Sequence, residues 1–528
     1  VYFISPTLFI RHPSFNEIRS DLPLPHESIL LSHSSVLDKI KQKLVDKNGI
    51  QIVVLVGIGG SGKTTIAHRY ARKQKIPLIW EINSETKESL IFSFKQLAYS
   101  LCQTEEEKQE LRIIPEIKDT YERERKLLLF ITKKIKNYPD WLIIYNNVVT
   151  FQDIKDCFPY DEKVWGNGKV IITTQDSNIA YNSYITTSNV IEIGELKKEE
   201  KLELFNKIIN NSRGNLEIEQ QLITKFLDKI PSFPLDISIA ASYLKEEKIS
   251  YDEYLRYISE SKEEVTSIHG FILSDIGNYT KTRYDVISLP VKHIIKVHPD
   301  FKDLLLFISI INSQNIPKEL LSRYKDSVIV SKFIHELRKC SLITEKSLNQ
   351  VDPALSIHRS TQTITLEYLI KLLELEKGAK QIQSIADVLA DSMDKGLKKH
   401  IDNVSILVSH VEAFLGHNLL VDKLTASHLK IRLGIYYFYI GNYAKAKTLL
   451  EEVLSVYKDY YGPDHLQTSW VTTRLGNVYR NMGDYYKAKG LLEKALLVYE
   501  KHYGKKHNRT AWVFIYLGNI YRNIGDYA

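Results

Sequence analysis

The sequence predicts a multidomain chain: an α/β domain on a parallel sheet, then a mostly helical remainder that ends in a solenoid. Three observations predict this. A β-rich run at residues 52–56 (IVVLV) leads into a glycine cluster and then into a helix at residues 63–73. Further strand-like runs at residues 77–82, 141–145 and 170–174 alternate with helical stretches such as 87–102 and 121–136. Such alternation builds a parallel sheet with helices on both faces. Finally, Gly434, Gly476 and Gly518 recur at a spacing of 42, as do Tyr461 and Tyr503, Gly462 and Gly504, His465 and His507, and Trp470 and Trp512. Self-similarity at a fixed period marks a stacked repeat array.

The elements follow in order. Residues 1–30 read as an irregular linker broken by Pro6, Pro13, Pro23 and Pro25, and helical periodicity begins near Ser35. The α/β region ends near Glu192. Residues 197–370 read as almost entirely helical, with breaks at Pro231 and Pro234, at residues 288–290 and at residues 349–353. Only helices are expected after residue 370. Each 42-residue unit reads as two antiparallel helices. Gly476 is expected at their close approach, Ala488 and Ala495 as small residues on the second helix, and Tyr479, Leu492 and Tyr499 as fillers between helices. A single hairpin cannot bury its apolar stripe, so neighbours must stack.

Composition narrows the classes. The 528 residues are 44% hydrophobic and 26% charged, which excludes collagen, a disulfide-stapled miniprotein and a wholly disordered chain. The net charge of +7 comes from 71 Lys+Arg against 64 Asp+Glu with no basic arm, so nucleic acid is not an expected partner. Cys102, Cys157 and Cys340 stand apart with no CxxC, which excludes a zinc knuckle and fits reduced thiols in the cytoplasm. No stretch reaches the roughly 18 apolar residues of a membrane span. The chain starts at Val1, and its third repeat stops at Ala528 where the earlier copies continue into KAKTLLEEVL and KAKGLLEKAL, so a fragment is expected.

The chemistry lies in Gly57-Ile58-Gly59-Gly60-Ser61-Gly62-Lys63-Thr64, which fits G-x-x-x-x-G-K-[ST] between a strand and a helix. Its glycines let successive backbone N–H groups turn inward onto phosphate oxygens, and the helix N-terminus adds positive potential. Lys63 is placed for the β/γ-phosphates, Thr64 for Mg²⁺, and Thr65, next in the first helical turn, completes the nucleotide-binding residues of the loop. Hydrolysis usually needs an acid at the end of a later strand. The candidate strand, WLIIY, ends instead in Asn146-Asn147, so the expectation is at most a slow ATPase. No N-K-x-D string is present, which favours adenine over guanine.

These residues together resemble the NB-ARC family of signal-transduction ATPases (STAND class) joined to kinesin-light-chain-like tetratricopeptide repeats (TPR). WEINSETKESLIFSFKQLA (residues 80–98), WLIIYNNV with both acids replaced, GKVIITTQD with Gln175 where Arg is usual, IGELKKEEKLELF, SFPLDISIAASYL and SIHRSTQTI occur in the family's order. The implied fold is multidomain: an α/β P-loop NTPase domain with a parallel sheet, helical and winged-helix domains, and an all-α TPR solenoid. The implied boundaries are a linker at 1–30, a nucleotide domain at 31–192, a helical domain at 193–285, a winged-helix domain at 286–370, a helical connector at 371–425 and repeats at 426–528. The resemblance implies that Pro234 packs on adenine, that His358 contacts the β-phosphate of ADP, and that Thr173 and Thr174 face the γ-phosphate. Gln175 lacks the charge a sensing Arg would supply there. The implied cofactors are ADP or ATP with Mg²⁺. The implied partners are a protein or peptide ligand on the TPR surface and a nucleotide-dependent homo-oligomer, with no membrane. Two functions stay open: a switch closed with ADP and open with ATP, and a non-hydrolysing scaffold in which only the repeats act. A P-loop metabolic kinase is disfavoured, since no acceptor site or lid is evident.

Overall fold

The computed structural model describes residues 17–45, 49–114, 117, 119–180, 182–209, 216–260, 281–348, 352–399 and 404–524. The apolar opening stretch, residues 349–351 of one expected break and the chain's last four residues lie outside them. The first sheet has six parallel strands: β1 (Ile18–Arg19), β2 (Ile50–Val56), β3 (Leu78–Asn83), β4 (Trp141–Val148), β5 (Gly168–Thr174) and β6 (Val190–Glu192). Their order across the sheet is β1-β3-β4-β5-β2-β6.

Side chains on a strand alternate between faces, and this sheet is covered on both. Val53, Leu55, Ile79, Leu142, Ile144 and Ile171 pack with Ile66, Ala67 and Tyr70 of helix α2 (Lys63–Arg72), which follows α1 (Ser34–Lys43). Val54, Trp80, Ile143, Tyr145, Val170 and Ile172 pack on the other side with Phe94 and Leu97 of α3 (Lys87–Leu101) and Phe130 and Ile131 of α5 (Thr120–Ile135). A fourth helix, α4 (Glu105–Ile113), lies between these two in sequence. Burial on both faces explains why the strands read as unbroken apolar runs. In such sheets ligands bind beyond the carboxyl ends of the strands, and the glycine cluster sits at that end of β2.

Two readings of the middle region are corrected. The segment 197–370 is not almost entirely helical. Strands β7 (Ile316–Pro317), β8 (Ile343–Leu348) and β9 (Asp352–Ile357) form an antiparallel sheet in the order β7-β9-β8. The two longer strands pair with each other, Ile343 opposite Ile357 and Glu345 opposite Leu355, and Ile343, Leu355 and Ile357 are buried. The break expected at residues 288–290 lies inside the helix Lys281–Val297, with Pro290 in its interior. A helix-interior proline costs about 3 kcal/mol. Val286, Ile287, Val291 and Ile294 on that helix are fully buried, at roughly 1.5–3 kcal/mol each, so packing outweighs the proline. Pro234 likewise starts a helix, Pro234–Glu247, from its first position, where a missing N–H costs nothing.

The C-terminal helices stack in pairs: Lys423–Tyr439 with Tyr443–Tyr461, then Leu466–Asn481 with Tyr485–Tyr503, then Asn508–Ile524. A Cβ on Gly434 would stand 3.0 Å from Leu450 Cγ, and one on Gly476 2.8 Å from Leu492 Cγ, the same close approach one repeat later. Ala488, Leu492, Ala495 and Tyr499 are buried, as the spacing predicts. Among the described residues no helix is long and apolar enough to cross a membrane.

Candidate nucleotide-binding site

Strand β2 delivers the chain into the loop Gly57–Gly62, and Gly62, at φ 92°, caps the start of α2. Lys63 Nζ folds back and donates to the carbonyls of Gly57 (2.7 Å) and Ile58 (2.8 Å). Burial lowers its pKa to about 8. Ser61 Oγ is buried and has no hydrogen-bond partner among the described residues. The first N–H groups of α2, including those of Thr64 and Thr65, point out of the helix end with no partner in it. An orphan hydroxyl, free N–H groups and a lysine bound only to neutral carbonyls are what a phosphate chain would satisfy. A nucleotide with its Mg²⁺ therefore fits the residues present.

The carboxyl ends of β3, β4 and β5 form the floor. Alternation puts Glu81, Asn146 and Thr173 on the face covered by α2. Asn146 Oδ1 accepts from the hydroxyls of Thr64 (2.8 Å) and Thr173 (2.6 Å), and Asn146 Nδ2 donates to Glu81 Oε1 (2.7 Å). Strand β4 does not end at Asn146. It runs on to Val148 through an irregularity at Asn147, whose φ is 60°, and the Asn147 N–H donates to Thr173 Oγ1. Thr174 points away from the loop and donates to the Val148 carbonyl, at 2.7 Å. Of the two threonines, the structure brings only Thr173 to the loop side. The Gln175 amide nitrogen lies 3.7 Å from where a Cβ on Gly59 would stand.

The roof comes from far along the chain. A Cβ on Gly59 would stand 2.9 Å from Ser360 Oγ and 3.1 Å from His358 Cε1. One on Gly60, already at φ 83°, would meet Leu235 Cβ at 2.9 Å and the Arg283 guanidinium at 3.0 Å. Pro234 Cγ is 3.6 Å from the Cβ position of Gly62. His358 caps the helix Arg359–Leu372 by accepting the Ser360 N–H at Nδ1. The residue as a whole is only partly buried. Crowding by protein, then the nearby charges of Arg283 and Lys63, nevertheless push its pKa down to about 3, so the ring is neutral at physiological pH. Arg283 grips Asp236 through two hydrogen bonds of 2.9 and 2.6 Å and lies over the Phe233 ring. Burial lifts the Asp236 carboxyl to about 6, with Arg283 pulling the other way.

Sequence reading places the loop, Asn146, Thr173, Pro234 and His358, and the structure brings them together. It misses Glu81, His68, Asp236 and Arg283. Signals for some of these were present: Glu81 is the one charge in the buried strand LIWEIN, and Asp236 is the one charge between Pro234 and Leu244 of its helix.

A second contact lies on the other side of the nucleotide domain. Glu88, in the first turn of α3, accepts from Lys445 Nζ (2.7 Å) and the Tyr437 hydroxyl (3.0 Å) of the repeat helices. Glu412 Oε1 lies 2.8 Å from Lys445 Nζ and 2.7 Å from the Tyr437 hydroxyl, whose single proton the two carboxylates share. One and two repeats later the matching tyrosines, Tyr479 and Tyr521, donate to Glu451 and Glu493, glutamates of their own array. At Tyr437 the nucleotide domain supplies part of that acidic partner.

A family model described as the NB-ARC domain matches residues 33–215, and one described as a tetratricopeptide repeat matches residues 424–480 and 468–528. The chain carries an NB-ARC domain and C-terminal tetratricopeptide repeats. Two proteins of Solanum demissum, named late blight resistance protein homologs R1B-19 and R1B-12, are similar to it. They are 26% identical over 156 residues (29% of this chain) and 23% identical over 224 residues (41% of this chain). The matches span 11% and 16% of those relatives' lengths. Among solved structures, a Signal Transduction ATPase with Numerous Domains protein with a tetratricopeptide repeat sensor, from Pyrococcus horikoshii, aligns over 96% of this chain and 76% of its own. Its identity is 15% and its TM-score 0.49. The phosphate loop described above thus lies in the NB-ARC domain, and Tyr437 and Lys445 lie in the repeats.

Proposed function

We propose that this chain is an adenine-nucleotide-dependent signalling switch, closed with ADP and open with ATP, whose repeats bind a protein or peptide ligand. One observation carries the reading: the phosphate loop is roofed by Leu235, Arg283, His358 and Ser360, which come from two later segments. Whatever occupies the loop touches the groups that hold those segments down. In this reading Lys63 and the loop N–H groups hold the β-phosphate, with His358 donating to it as a neutral ring. Thr64 carries Mg²⁺, Pro234 packs on the adenine, and Thr173 lies toward the γ-phosphate. The segments around 193–285 and 286–370 act as the helical and winged-helix lids.

Ligand binding at the repeats would shift this equilibrium only as far as the ligand prefers the open form. The Glu88–Lys445 contact supports a path for it, because it ties the first repeat to the domain that holds the nucleotide. Opening would then free surfaces for a nucleotide-dependent homo-oligomer. Asn146 and Asn147 favour a second reading, a bound nucleotide that is never hydrolysed and repeats that act alone as a scaffold.

The test is to release and identify any nucleotide that copurifies, then to size the protein with ADP and with ATP, beside Lys63→Ala. Copurified ADP with ATP-dependent assembly supports the switch. Assembly indifferent to both nucleotide and Lys63→Ala sinks it and leaves the scaffold.

A further inference from the structure

The NB-ARC site has an amide where phosphate-transfer sites of this architecture carry an acid, yet a carboxylate stands one strand away. Glu81 on β3 lies on the same sheet face as Asn146 and accepts its amide N–H at 2.7 Å. Behind it, His68, four residues after Thr64 on α2 and 1% exposed, holds Glu81 Oε1 at 3.1 Å from Nε2. The other nitrogen of that ring, Nδ1, lies 3.0 Å from the Pro23 carbonyl oxygen. A carbonyl only accepts, so Nδ1 carries a proton, and the Nε2–Glu81 contact needs one as well. His68 thus ties Glu81 to the chain segment that runs past Pro23.

We propose that Glu81 is the acidic residue of this nucleotide site, moved to the neighbouring strand, and that it acts as a positioning residue. It fixes the Asn146 amide so that its carbonyl, not its NH₂, faces Thr64. The two ends of an amide are interchangeable to a hydroxyl, which can donate or accept. Glu81 accepts from one end. Thr173, whose oxygen already takes the Asn147 N–H at 2.9 Å, donates to the other. With the amide so set, Thr64 gives its proton to Asn146 and keeps its oxygen lone pairs for the Mg²⁺ of a bound nucleotide. The pairing also predicts that an acid placed at position 146 would gain little beside Glu81, which already stands within hydrogen-bond reach of that position. Two carboxylates at this spacing cannot both ionise, and one must stay protonated.

This rests on the nucleotide-binding reading, and calorimetric titration of ADP with Mg²⁺ and with EDTA separates the two. ADP binding by the unaltered chain in EDTA tests the reading itself. If it binds there, the Mg²⁺-dependent gain in affinity tests Glu81. Glu81→Ala should cut that gain by about 10- to 100-fold, the usual cost of losing a group that orients a ligand of the metal. Glu81→Gln, which keeps an acceptor for Asn146 and the same shape, should retain most of it. Asn146→Asp alone should not raise the gain, whereas Asn146→Asp with Glu81→Gln, which restores a single acid beside Thr64, should exceed Asn146→Asp by at least about tenfold. Affinity in EDTA is the reference for each variant, so that the Mg²⁺-dependent gain is compared and not the affinity itself. The proposal is overturned if Asn146→Asp matches the double variant, or if Glu81→Ala leaves the Mg²⁺ gain intact.

Discussion

Above the phosphate loop the NB-ARC domain meets the later helices through close steric contacts beside an ion pair with almost no access to water. Gly59 and Gly60 lie against Ser360, His358 and Leu235, and the Arg283 and Asp236 side chains beside them are 4% and 0% exposed. At the start of α3 the same domain meets the repeats through Lys445 and Glu88, whose side chains are 38% and 21% exposed. The first contact is steric and leans on a desolvated ion pair, so an occupant of the loop is well placed to change it. The second is charged and reachable from solvent, so a competing charge or salt can weaken it. The two contacts suit the two inputs of the proposed switch: nucleotide at the loop and ligand at the repeats.

The comparison breaks most visibly at the buried end. Asp236→Ala leaves the Arg283 guanidinium buried without its carboxylate and should cost about 3–5 kcal/mol of stability, read by chemical denaturation. Gly60→Ala places a side chain at φ 83° and against Leu235. It should cost about 1–3 kcal/mol and release the roof from the loop, visible as faster proteolysis after residue 230.

How much of this was legible in the sequence differs between the two contacts in the same way. The loop carries its own spacing, and its strand and helix are set by local apolar pattern, so Gly57 to Thr64 could be placed from residues alone. Asn146 followed from its place at the end of a strand, and Thr173 from the resemblance. The resemblance, not the pattern, pointed to Pro234 and His358. Arg283 and Asp236 are 47 residues apart, and nothing local joins them. Glu88 and Lys445 are 357 apart, and each reads as an ordinary charge on a helix surface. Strand β8 escapes a sequence reading because ITEKSL carries only two apolar residues, too few for a strand pattern, and the break expected at Pro290 fails because burial overrides a local rule.

A smaller effect sharpens the loop side through pH. Burial holds the free Lys63 at a pKa of about 8, and a phosphate beside it favours the charged form. Binding near pH 8 should therefore take up about half a proton at this group, and affinity, flat below that pH, should fall roughly tenfold per unit above it. Calorimetry in buffers of different ionisation enthalpy reads the proton directly. An uptake of zero would mean that Lys63 does not meet the phosphates.

The smallest change in stability is expected at the repeat side. Lys445→Met should alter overall stability by between about 0.2 and 1 kcal/mol, because the pair is partly exposed. Its effect on coupling should still be clear, since it leaves Glu88 and Glu412 facing each other without a cation. High salt should mimic the variant, and limited proteolysis between the nucleotide domain and the first repeat should rise in both cases.

The central claim is that the nucleotide in the loop decides whether the chain is closed. The direct measurement is the distance between a dye on the nucleotide domain and one on the last repeat helix, followed by energy transfer on single molecules with ADP, with ATP and with Lys63→Ala. The account predicts a short distance with ADP, a longer one with ATP, and a Lys63→Ala chain that no longer responds to either. One distance for all three conditions would contradict it.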